Sequence, residues 1–238
     1  MNPESPRPDA LSAPAGDSVA IRLEGISKSF GFRDVLQGVD LEVARGACLC
    51  IYGQNGAGKS TLARILGTLW SPSRGDGWIL GNQLGKADRE IRRRSSMVSD
   101  QSFLRPELSL EENLLFYSSL YGVEGDEPGA ELLERFGLYR RRKDPVSTFS
   151  QGMVKRANLV RSLLHDPDLW ILDEPFGGLD QEGQLLLKQC IRGYRETGRT
   201  VVLVTHLRDI GDELATDSIE IVDGFLAQTA GHQPGGGS

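Results

Sequence analysis

The segment "GQNGAGKST", residues 53–61, constrains the fold more than any other feature of this chain, because it joins a strand-like apolar run to a helix-like run. It fits the pattern G-x-x-x-x-G-K-[ST] in full. Its glycines let the backbone curl without side-chain clashes, so that successive N–H groups point inward at phosphate oxygens. The segment therefore predicts a strand, a phosphate-binding loop and a helix in that order, and by itself it leaves both ATP and GTP open.

The individual residues of this loop have predictable roles. The ammonium of Lys59 is predicted to neutralise the β and γ phosphates during catalysis, and the hydroxyl of Ser60 is predicted to ligate Mg²⁺. The simpler alternative is a glycine turn that only connects a strand to a helix. We predict that the whole loop contacts the nucleotide, through Gly53, Gln54, Asn55, Gly56, Ala57, Gly58, Lys59, Ser60 and Thr61.

The patterns around the loop are those of an α/β protein. Apolar residues alternate in "VAIRLEGISKSF" and "VLQGVDLEV", which indicates antiparallel strands before the loop. After the loop, Leu62, Ile65, Leu66 and Leu69 mark an amphipathic helix, and the runs "SMVSD", "DLWILD" and "TVVLVTH" alternate with further helical patterns. Such alternation predicts a mostly parallel core sheet that is covered on both faces. Residues 111–142 lack a strand-like run and predict an inserted helical lobe.

The ends of the chain differ in composition from its middle. Residues 1–18 hold four prolines without apolar periodicity, and the final stretch "AGHQPGGGS" has the composition of a linker. We therefore predict one domain over residues 19–228, with the helical lobe at about 101–160, a disordered leader at 1–18 and a flexible tail at 229–238.

Composition argues against several function classes. The 27 Lys and Arg residues against 33 Asp and Glu give a net charge of −6, without the basic excess of a nucleic-acid binder. The longest apolar runs are far shorter than the roughly 20 residues of a membrane-spanning helix, so we expect no transmembrane segment. Cys48, Cys50 and Cys190 have no metal-ligand spacing and are expected to be core residues of a protein in a reducing compartment.

A second acidic motif completes the predicted chemistry. In "LWILDEP", Asp173 and Glu174 follow an apolar strand at its carboxyl end, where open α/β sheets place ligands. Asp173 is predicted to hold Mg²⁺ through water, and Glu174 is predicted to polarise the attacking water. An isolated acidic pair would more often be a solvated loop, but the phosphate-binding loop in the same chain favours the catalytic interpretation.

Taken in order, these motifs resemble those of the ATP-binding subunits of ABC transporters over about residues 19–226. The resemblance implies a P-loop NTPase of the ABC type, with an N-terminal antiparallel β lobe, that hydrolyses ATP with Mg²⁺. The segment "FSQGM" resembles the signature segment of the family and keeps Ser150 and Gly152. In the family these residues face the γ-phosphate bound by the other subunit, which implies a homodimer. Ser150 is also well placed as the N-cap of the following helix.

Three single residues gain roles from the same resemblance. Gln101 in "SDQSF" resembles the family's Q-loop glutamine, which contacts Mg²⁺ and water, although a lone glutamine is more often a surface residue. His206 in "VLVTHL" resembles the switch histidine that touches the γ-phosphate, and the alternative is a core histidine with satisfied hydrogen bonds. Asp180 in "GGLD" matches the D-loop, and it also fits a helix N-cap.

An aromatic residue is expected at the adenine. Phe30 in "KSFG" is at the position where the family stacks an aromatic ring on adenine, and a phenylalanine ring suffices for stacking. Phe32 is the competing residue, and we predict Phe30.

Two longer stretches narrow the resemblance within the family. "ENLLFY", "DPVSTFSQGM" and "LLHDPDLWILDEPF" are most like the ATPase of the haem exporter of cytochrome c maturation, the CcmA family. This resemblance implies a peripheral subunit at the cytoplasmic face of a membrane that pairs with a second copy of itself and with separate membrane-spanning subunits. The surface from about residue 101 to residue 123 is the expected docking surface for those subunits.

Three alternatives remain open from the sequence. The chain could serve a related drug or polysaccharide exporter, whose ATPases share many of these sequence motifs. It could be a soluble ABC ATPase of an assembly complex, such as one for iron–sulfur clusters. It could also be a switch that binds ATP without turnover, against which the carboxylate of Glu174 argues.

Overall fold

The computed structural model describes residues 18–125 and 129–227. The strands are β1 Val19–Phe30, β2 Arg33–Ala44, β3 Cys48–Gly53, β4 Arg74–Ile79, β5 Asn82–Gln83, β6 Ser95–Val98, β7 Leu169–Asp173, β8 Thr200–Val204, β9 Asp217–Val222 and β10 Phe225–Ala227. The α-helices are α1 Lys59–Leu66, α2 Asp88–Arg94, α3 Leu110–Tyr121, α4 Ala130–Arg135, α5 Gln151–Leu163, α6 Gln181–Glu196 and α7 Arg208–Leu214. Apart from residue 18, the predicted leader and tail lie outside the described residues.

Two sheets form the framework. The core sheet has six strands in the order β10-β9-β3-β8-β7-β6, and all neighbours pair in parallel except β9 and β10. The second sheet is antiparallel, in the order β2-β1-β4-β5. The predicted fold class, a mostly parallel core with an antiparallel lobe, is confirmed. The antiparallel lobe is less strictly N-terminal than expected, because β4 and β5 follow the glycine loop and α1 in the chain.

Strand β3 shows why the core sheet must be covered on both faces. Along this strand Cys48, Cys50 and Tyr52 pack into an apolar cluster with residues of α3, α5 and α6, whereas Leu49 and Ile51 pack into a second cluster with residues of β1, β2 and α1. Side chains alternate across a strand, so a run of apolar residues needs an apolar partner on each side. All three cysteines are buried and free, as the sequence predicts.

Helix α1 is shorter than its apolar pattern predicts. The helix ends at Leu66, and the chain then turns at Thr68, whose φ is +55°. Leu69, which we expected on the buried face of this helix, therefore lies beyond it and is 45% exposed. The prediction for Leu69 was wrong because a left-handed residue ends the helix and rotates the following side chains out of its periodic pattern.

The predicted helical lobe lies between β6 and β7. Helix α3 begins with a capping box, in which the side chain of Ser109 accepts from the backbone N–H of Glu112 and the carboxylate of Glu112 accepts from the backbone N–H of Ser109. Helix α3 packs on α5 through Leu110 and Leu114, which are buried. Within residues 18–125 and 129–227, none of the helices is long and apolar enough to cross a membrane.

Candidate active site

A cavity of about 440 Å³ lies over the glycine loop. Its walls come from three parts of the chain: the start of β2, the loop with the first turn of α1, and the end of β7. The residues that line it are Arg33, Val35, Asn55, Gly56, Gly58, Lys59, Ser60, Thr61 and Glu174. Six of the nine predicted loop residues therefore border one open space together with the predicted catalytic carboxylate of Glu174: Asn55, Gly56, Gly58, Lys59, Ser60 and Thr61.

The shape of the loop depends on two glycines that have no room for a side chain. Gly53 has a φ of +144°, and a Cβ added there would lie 2.4 Å from the carbonyl oxygen of Ile221. Gly58 has a φ of +114°, and its added Cβ would lie 2.7 Å from the carbonyl oxygen of Val35. Among the described residues, no side chain caps the start of α1. The first N–H groups of this helix are therefore left for a ligand, as an anion site at a helix N-terminus requires.

The ammonium of Lys59 holds this curled loop. Its Nζ atom donates to the carbonyl oxygens of Gly53 at 2.8 Å and Gln54 at 3.0 Å, and the side chain is buried. A buried ammonium needs such partners, because an unpaired buried charge is strongly destabilising. The charge is thereby fixed at the edge of the cavity, where phosphate oxygens could replace the carbonyls as acceptors.

Two of the three predicted magnesium-binding side chains, those of Ser60 and Asp173, meet. The hydroxyl of Ser60 donates to Oδ1 of Asp173 at 3.0 Å, although the two residues are far apart in the chain. Burial at the end of β7 raises the pKa of Asp173, and the hydrogen bond from Ser60 opposes that change. A hydroxyl and a carboxylate are oxygen donors that suit Mg²⁺, which usually takes its remaining ligands from water and phosphate. The side chain of Gln101, the third predicted ligand, is exposed and makes no hydrogen bond to either residue.

Glu174 and His206 form a second pair. Oε2 of Glu174 lies 2.9 Å from Nδ1 of His206. A carboxylate can only accept, so Nδ1 carries the hydrogen and donates it. Glu174 has a left-handed φ of +48°, and its backbone N–H donates to the carbonyl oxygen of Val204 at 2.9 Å. The side chain of His206 is 65% exposed, which rules out the alternative of a core histidine.

The residues predicted to act across a dimer lie outside this cavity. Ser150 caps α5 by accepting from the backbone N–H of Met153 at 3.3 Å, and Asp180 caps α6 by accepting from the N–H of Gly183 at 2.9 Å. Both capping interactions expected from the sequence are thus present. A Cβ added at Gly152 would lie 3.1 Å from the carbonyl oxygen of Gly178, so the two motifs are in close contact. Ser150 and Asp180 are both exposed.

The predicted adenine-stacking residue, Phe30, lies outside the lining of the cavity. The ring of Phe30 packs edge-on against Trp70, with ring centroids 5.0 Å apart, and it does not line the cavity. Phe32 is fully exposed. Arg33 and Val35, which belong to none of the sequence motifs, do line the cavity. The signal for them was the tight turn between β1 and β2, which pairs Phe30 with Arg33 and brings the start of β2 to the same edge.

Lys155 is a further residue of the site that was not predicted from the sequence. Its Nζ atom donates to the backbone carbonyl oxygen of Glu174 at 3.1 Å. Burial lowers the pKa of Lys155, whereas the negative charges of Asp100, Asp173 and Glu174 oppose that change. Lys155 lies on α5, one helical turn beyond the capped start of that helix, and no local sequence pattern indicates its contact with Glu174, the residue that follows β7.

Comparison with known proteins gives one consistent family. A model of the family described as ABC transporter matches residues 36–177. A solved structure, "Structure of ATP binding subunit of ABC transporter", superposes with a TM-score of 0.82 at 29% identity and covers 87% of this chain and 88% of that chain.

Curated relatives include three bacterial export or resistance proteins. The linearmycin resistance ATP-binding protein LnrL of Bacillus subtilis is 32% identical over 206 residues, which are 85% of this chain and 66% of the relative. The Nod factor export ATP-binding protein I of Bradyrhizobium diazoefficiens is 36% identical over 200 residues, 83% of this chain and 65% of the relative. The daunorubicin resistance ATP-binding protein DrrA3 of Streptomyces coeruleorubidus is 36% identical over 207 residues, 86% of this chain and 65% of the relative. The chain thus spans just under two thirds of the length of these relatives.

Proposed function

The chain belongs to the ABC transporter family, whose ATP-binding subunits hydrolyse ATP, and from this premise we propose that it is the ATP-hydrolysing subunit of a membrane exporter. The observation that carries the proposal is the position of Glu174 on the wall of the same cavity that Lys59 and Ser60 line. A phosphate cradle and an oriented carboxylate in one cavity are the two parts that phosphoryl transfer to water needs.

In this proposal each side chain has one task. Lys59 binds the terminal phosphates and offsets their negative charge, and Ser60 and Asp173 hold Mg²⁺. When it is bound, Mg²⁺ withdraws charge from the phosphate oxygens. Glu174 orients a water molecule and accepts its proton, and His206 keeps the Glu174 carboxylate in place through the hydrogen bond at Oε2.

We propose that a second copy of the chain completes the site. Ser150, Gly152 and Asp180 lie away from the cavity of their own chain, so their family roles require the cavity of a partner. The Ser150 oxygen accepts from the backbone at the start of α5, which leaves its O–H free to donate to a phosphate. The start of α5 adds the positive potential of a helix N-terminus.

We propose that the membrane subunits dock on the outer face of α3, within the predicted surface at residues 101–123. This face exposes three large apolar side chains, Leu115, Phe116 and Leu120. Beside it is a cavity of about 160 Å³ whose walls include the cationic side chains of Arg92 and Arg161. An apolar face beside the positive charge of Arg92 suits a cytoplasmic segment of a membrane protein that carries apolar and acidic side chains.

The cargo of the exporter is a separate proposal. The printed names of the relatives concern linearmycin and daunorubicin resistance and Nod factor export, which favours the drug or polysaccharide type of exporter. Export of haem for cytochrome c maturation remains a prediction from the resemblance of the segments "DPVSTFSQGM" and "LLHDPDLWILDEPF" to the CcmA family. Deletion of the gene separates the two, since loss of c-type cytochromes supports haem export and drug sensitivity with normal cytochromes supports drug export.

The Glu174→Gln variant tests the enzymatic proposal. We expect it to bind ATP with parental affinity, to lose at least about 100-fold in hydrolysis rate, and to accumulate as an ATP-bound dimer visible by light scattering. Glu134→Gln is the matched control, because Glu134 is an exposed glutamate on α4. Hydrolysis by Glu174→Gln at the parental rate would show that this carboxylate does not have the proposed role.

Affinity capture tests the exporter proposal. The chain is captured from detergent-solubilised source cells and the proteins that co-purify are identified. We expect proteins with membrane-spanning segments in stoichiometric amounts. Recovery only in complexes of soluble proteins would instead support an assembly ATPase.

A further inference from the structure

We propose that Lys155 is a positioning residue that holds the backbone of Glu174, so that the Glu174 carboxylate faces the cavity. This inference rests on the proposed function, because it concerns the residue that we assign to orient water. The contact that carries it is the hydrogen bond from Nζ of Lys155 to the backbone carbonyl oxygen of Glu174, at 3.1 Å.

Glu174 needs outside support to keep its conformation. Its φ of +48° lies in the left-handed region, which is unfavourable for a residue with a side chain and persists only where the surroundings impose it. The residue that follows Glu174 is Pro175, which also restricts the conformations open to Glu174. The direction of its Cα–Cβ bond therefore depends on contacts made by its own backbone.

Two hydrogen bonds fix the peptide planes on either side of the Glu174 Cα atom. The N–H belongs to the preceding plane and donates to the carbonyl oxygen of Val204 at 2.9 Å. The C=O belongs to the following plane and accepts from Lys155. With both planes held, the side chain leaves the backbone in one direction, and its Oε2 atom reaches Nδ1 of His206. Lys155 on α5 thus makes one of these two hydrogen bonds, and Val204 on β8 makes the other.

The charge of Lys155 strengthens this support. The side chain is half-buried, so its ammonium has lost part of its hydration. The negative charges of three carboxylates, those of Asp100, Asp173 and Glu174, favour the charged form of this ammonium. A hydrogen bond from a charged donor is shorter and stronger than a neutral one, and a poorly hydrated ammonium without such an acceptor would be destabilising.

Lys155 does not line the cavity, so its effect must pass through Glu174. Substitution of Lys155 should therefore lower the rate of the chemical step and leave the affinity for ATP unchanged. This pattern separates a positioning role from a general structural role, which would lower stability and ATP affinity together.

The test compares two substitutions in the full chain under steady-state ATP hydrolysis. Lys155→Met removes the donor and the charge at similar length, and we expect kcat to fall about 10- to 100-fold with KM for ATP changed less than about 3-fold. Lys155→Arg keeps a charged donor, and we expect it to restore kcat to within about 5-fold of the parent. Lys188→Met on α6 is the control, because Lys188 pairs with Glu213 away from the cavity and should leave kcat unchanged.

The results divide cleanly. A parental kcat in Lys155→Met, or a rise in KM that accounts for the whole loss, overturns the inference, as does an Arg variant that is as slow as the Met variant. If Lys155→Met does not fold, Lys155→Gln takes its place, because the amide of glutamine is one bond too short to reach the Glu174 carbonyl in the same way. A parental kcat in Lys155→Gln also overturns the inference. The parent and Glu174→Gln proteins are assayed alongside: if the parent does not hydrolyse ATP, or Glu174→Gln hydrolyses it like the parent, the proposed function fails first.

Discussion

The imidazole of His206 donates to the carboxylate of Glu174 across 2.9 Å, from the ends of two neighbouring parallel strands. Asp173 on β7 pairs with Val204 on β8, so the residues that follow these two strands, including Glu174 and His206, emerge at the same edge of the sheet. The hydrogen bond can orient the carboxylate without removing its negative charge. A general base requires this ionised form.

Substitution of His206 is therefore expected to slow hydrolysis and spare ATP binding. For His206→Ala we predict a kcat about 10- to 100-fold below the parent, with KM for ATP within about 3-fold. His206→Gln keeps a donor near the same place and should retain more activity than His206→Ala. Steady-state kinetics on the three proteins decide the matter, and a His206→Ala enzyme with parental kcat would falsify the assigned role.

Lys59 is expected to decide ATP affinity. Its ammonium lies at the edge of the cavity and already donates to two carbonyl oxygens of the loop. Lys59→Ala removes a charge-assisted contact to phosphate, and we predict ATP binding about 10- to 100-fold weaker by titration calorimetry. Because the loop carbonyls also lose their partner, thermal unfolding is measured in parallel. Lys143→Ala, at an exposed position outside the cavity, is the control and should bind ATP like the parent.

Two glycines of the loop provide a matched test of its packing. At Gly53 an added Cβ would meet the carbonyl oxygen of Ile221 at 2.4 Å, whereas at Gly56, with φ of +82°, nothing lies within 4 Å. Gly56→Ala should cost only the left-handed strain, about 1 kcal/mol in free energy of unfolding. Gly53→Ala adds a backbone clash and should cost about 2–4 kcal/mol. Urea denaturation of both variants measures the difference, and equal losses would mean that the Gly53 contact does not limit the loop.

Alkaline pH should destabilise the protein partly through Cys48. Burial raises the pKa of its thiol to about 12 from an ordinary value of 9.0, and the neighbouring Cys50 adds to the rise. Between these two values the unfolded chain releases a proton that the folded chain keeps, so the free energy of unfolding falls as the pH rises. One such thiol contributes a slope of about −1.4 kcal/mol per pH unit.

The slope identifies the residue even though the substitution itself changes stability. We predict that Cys48→Ala unfolds with a shallower pH dependence than the parent between pH ~9.5 and ~11, by about one proton. Chemical denaturation at a series of pH values gives the slope for each protein. Identical slopes would assign the alkaline loss of stability to other buried groups, such as the Tyr194 hydroxyl, whose pKa is also raised by burial.

Most of the candidate site could be predicted because its parts are short motifs with their own chemistry. The conformation of the loop follows from Gly53 and Gly58, whose positive φ angles no other residue type adopts easily. Asp173 and Glu174 were recognisable at the end of a run of apolar residues. Lys155 was not recognisable, because a lysine on a helix gives no sign of which distant carbonyl its ammonium will reach.

The structure also limits what the resemblance implied. Phe30 follows the family order, but here its ring packs against Trp70 and the cavity wall is formed by Arg33 and Val35 instead. Side-chain direction at a strand end depends on the neighbours it packs against, and these come from distant parts of the chain. The assignment of Phe30 to adenine therefore stays a prediction.

The sequence by itself determined the strand, loop and helix of the candidate phosphate site, because contiguous residues carry both the backbone freedom and the charge that such a loop needs. Only the tertiary structure decided which side chains meet around it. Ser60 reaches Asp173, and Glu174 reaches both His206 and Lys155, because β3, β8 and β7 lie side by side in the core sheet while α5 packs against one face of that sheet. Strand order is a long-range outcome of burying both faces of the sheet, and no local pattern of residues encodes it.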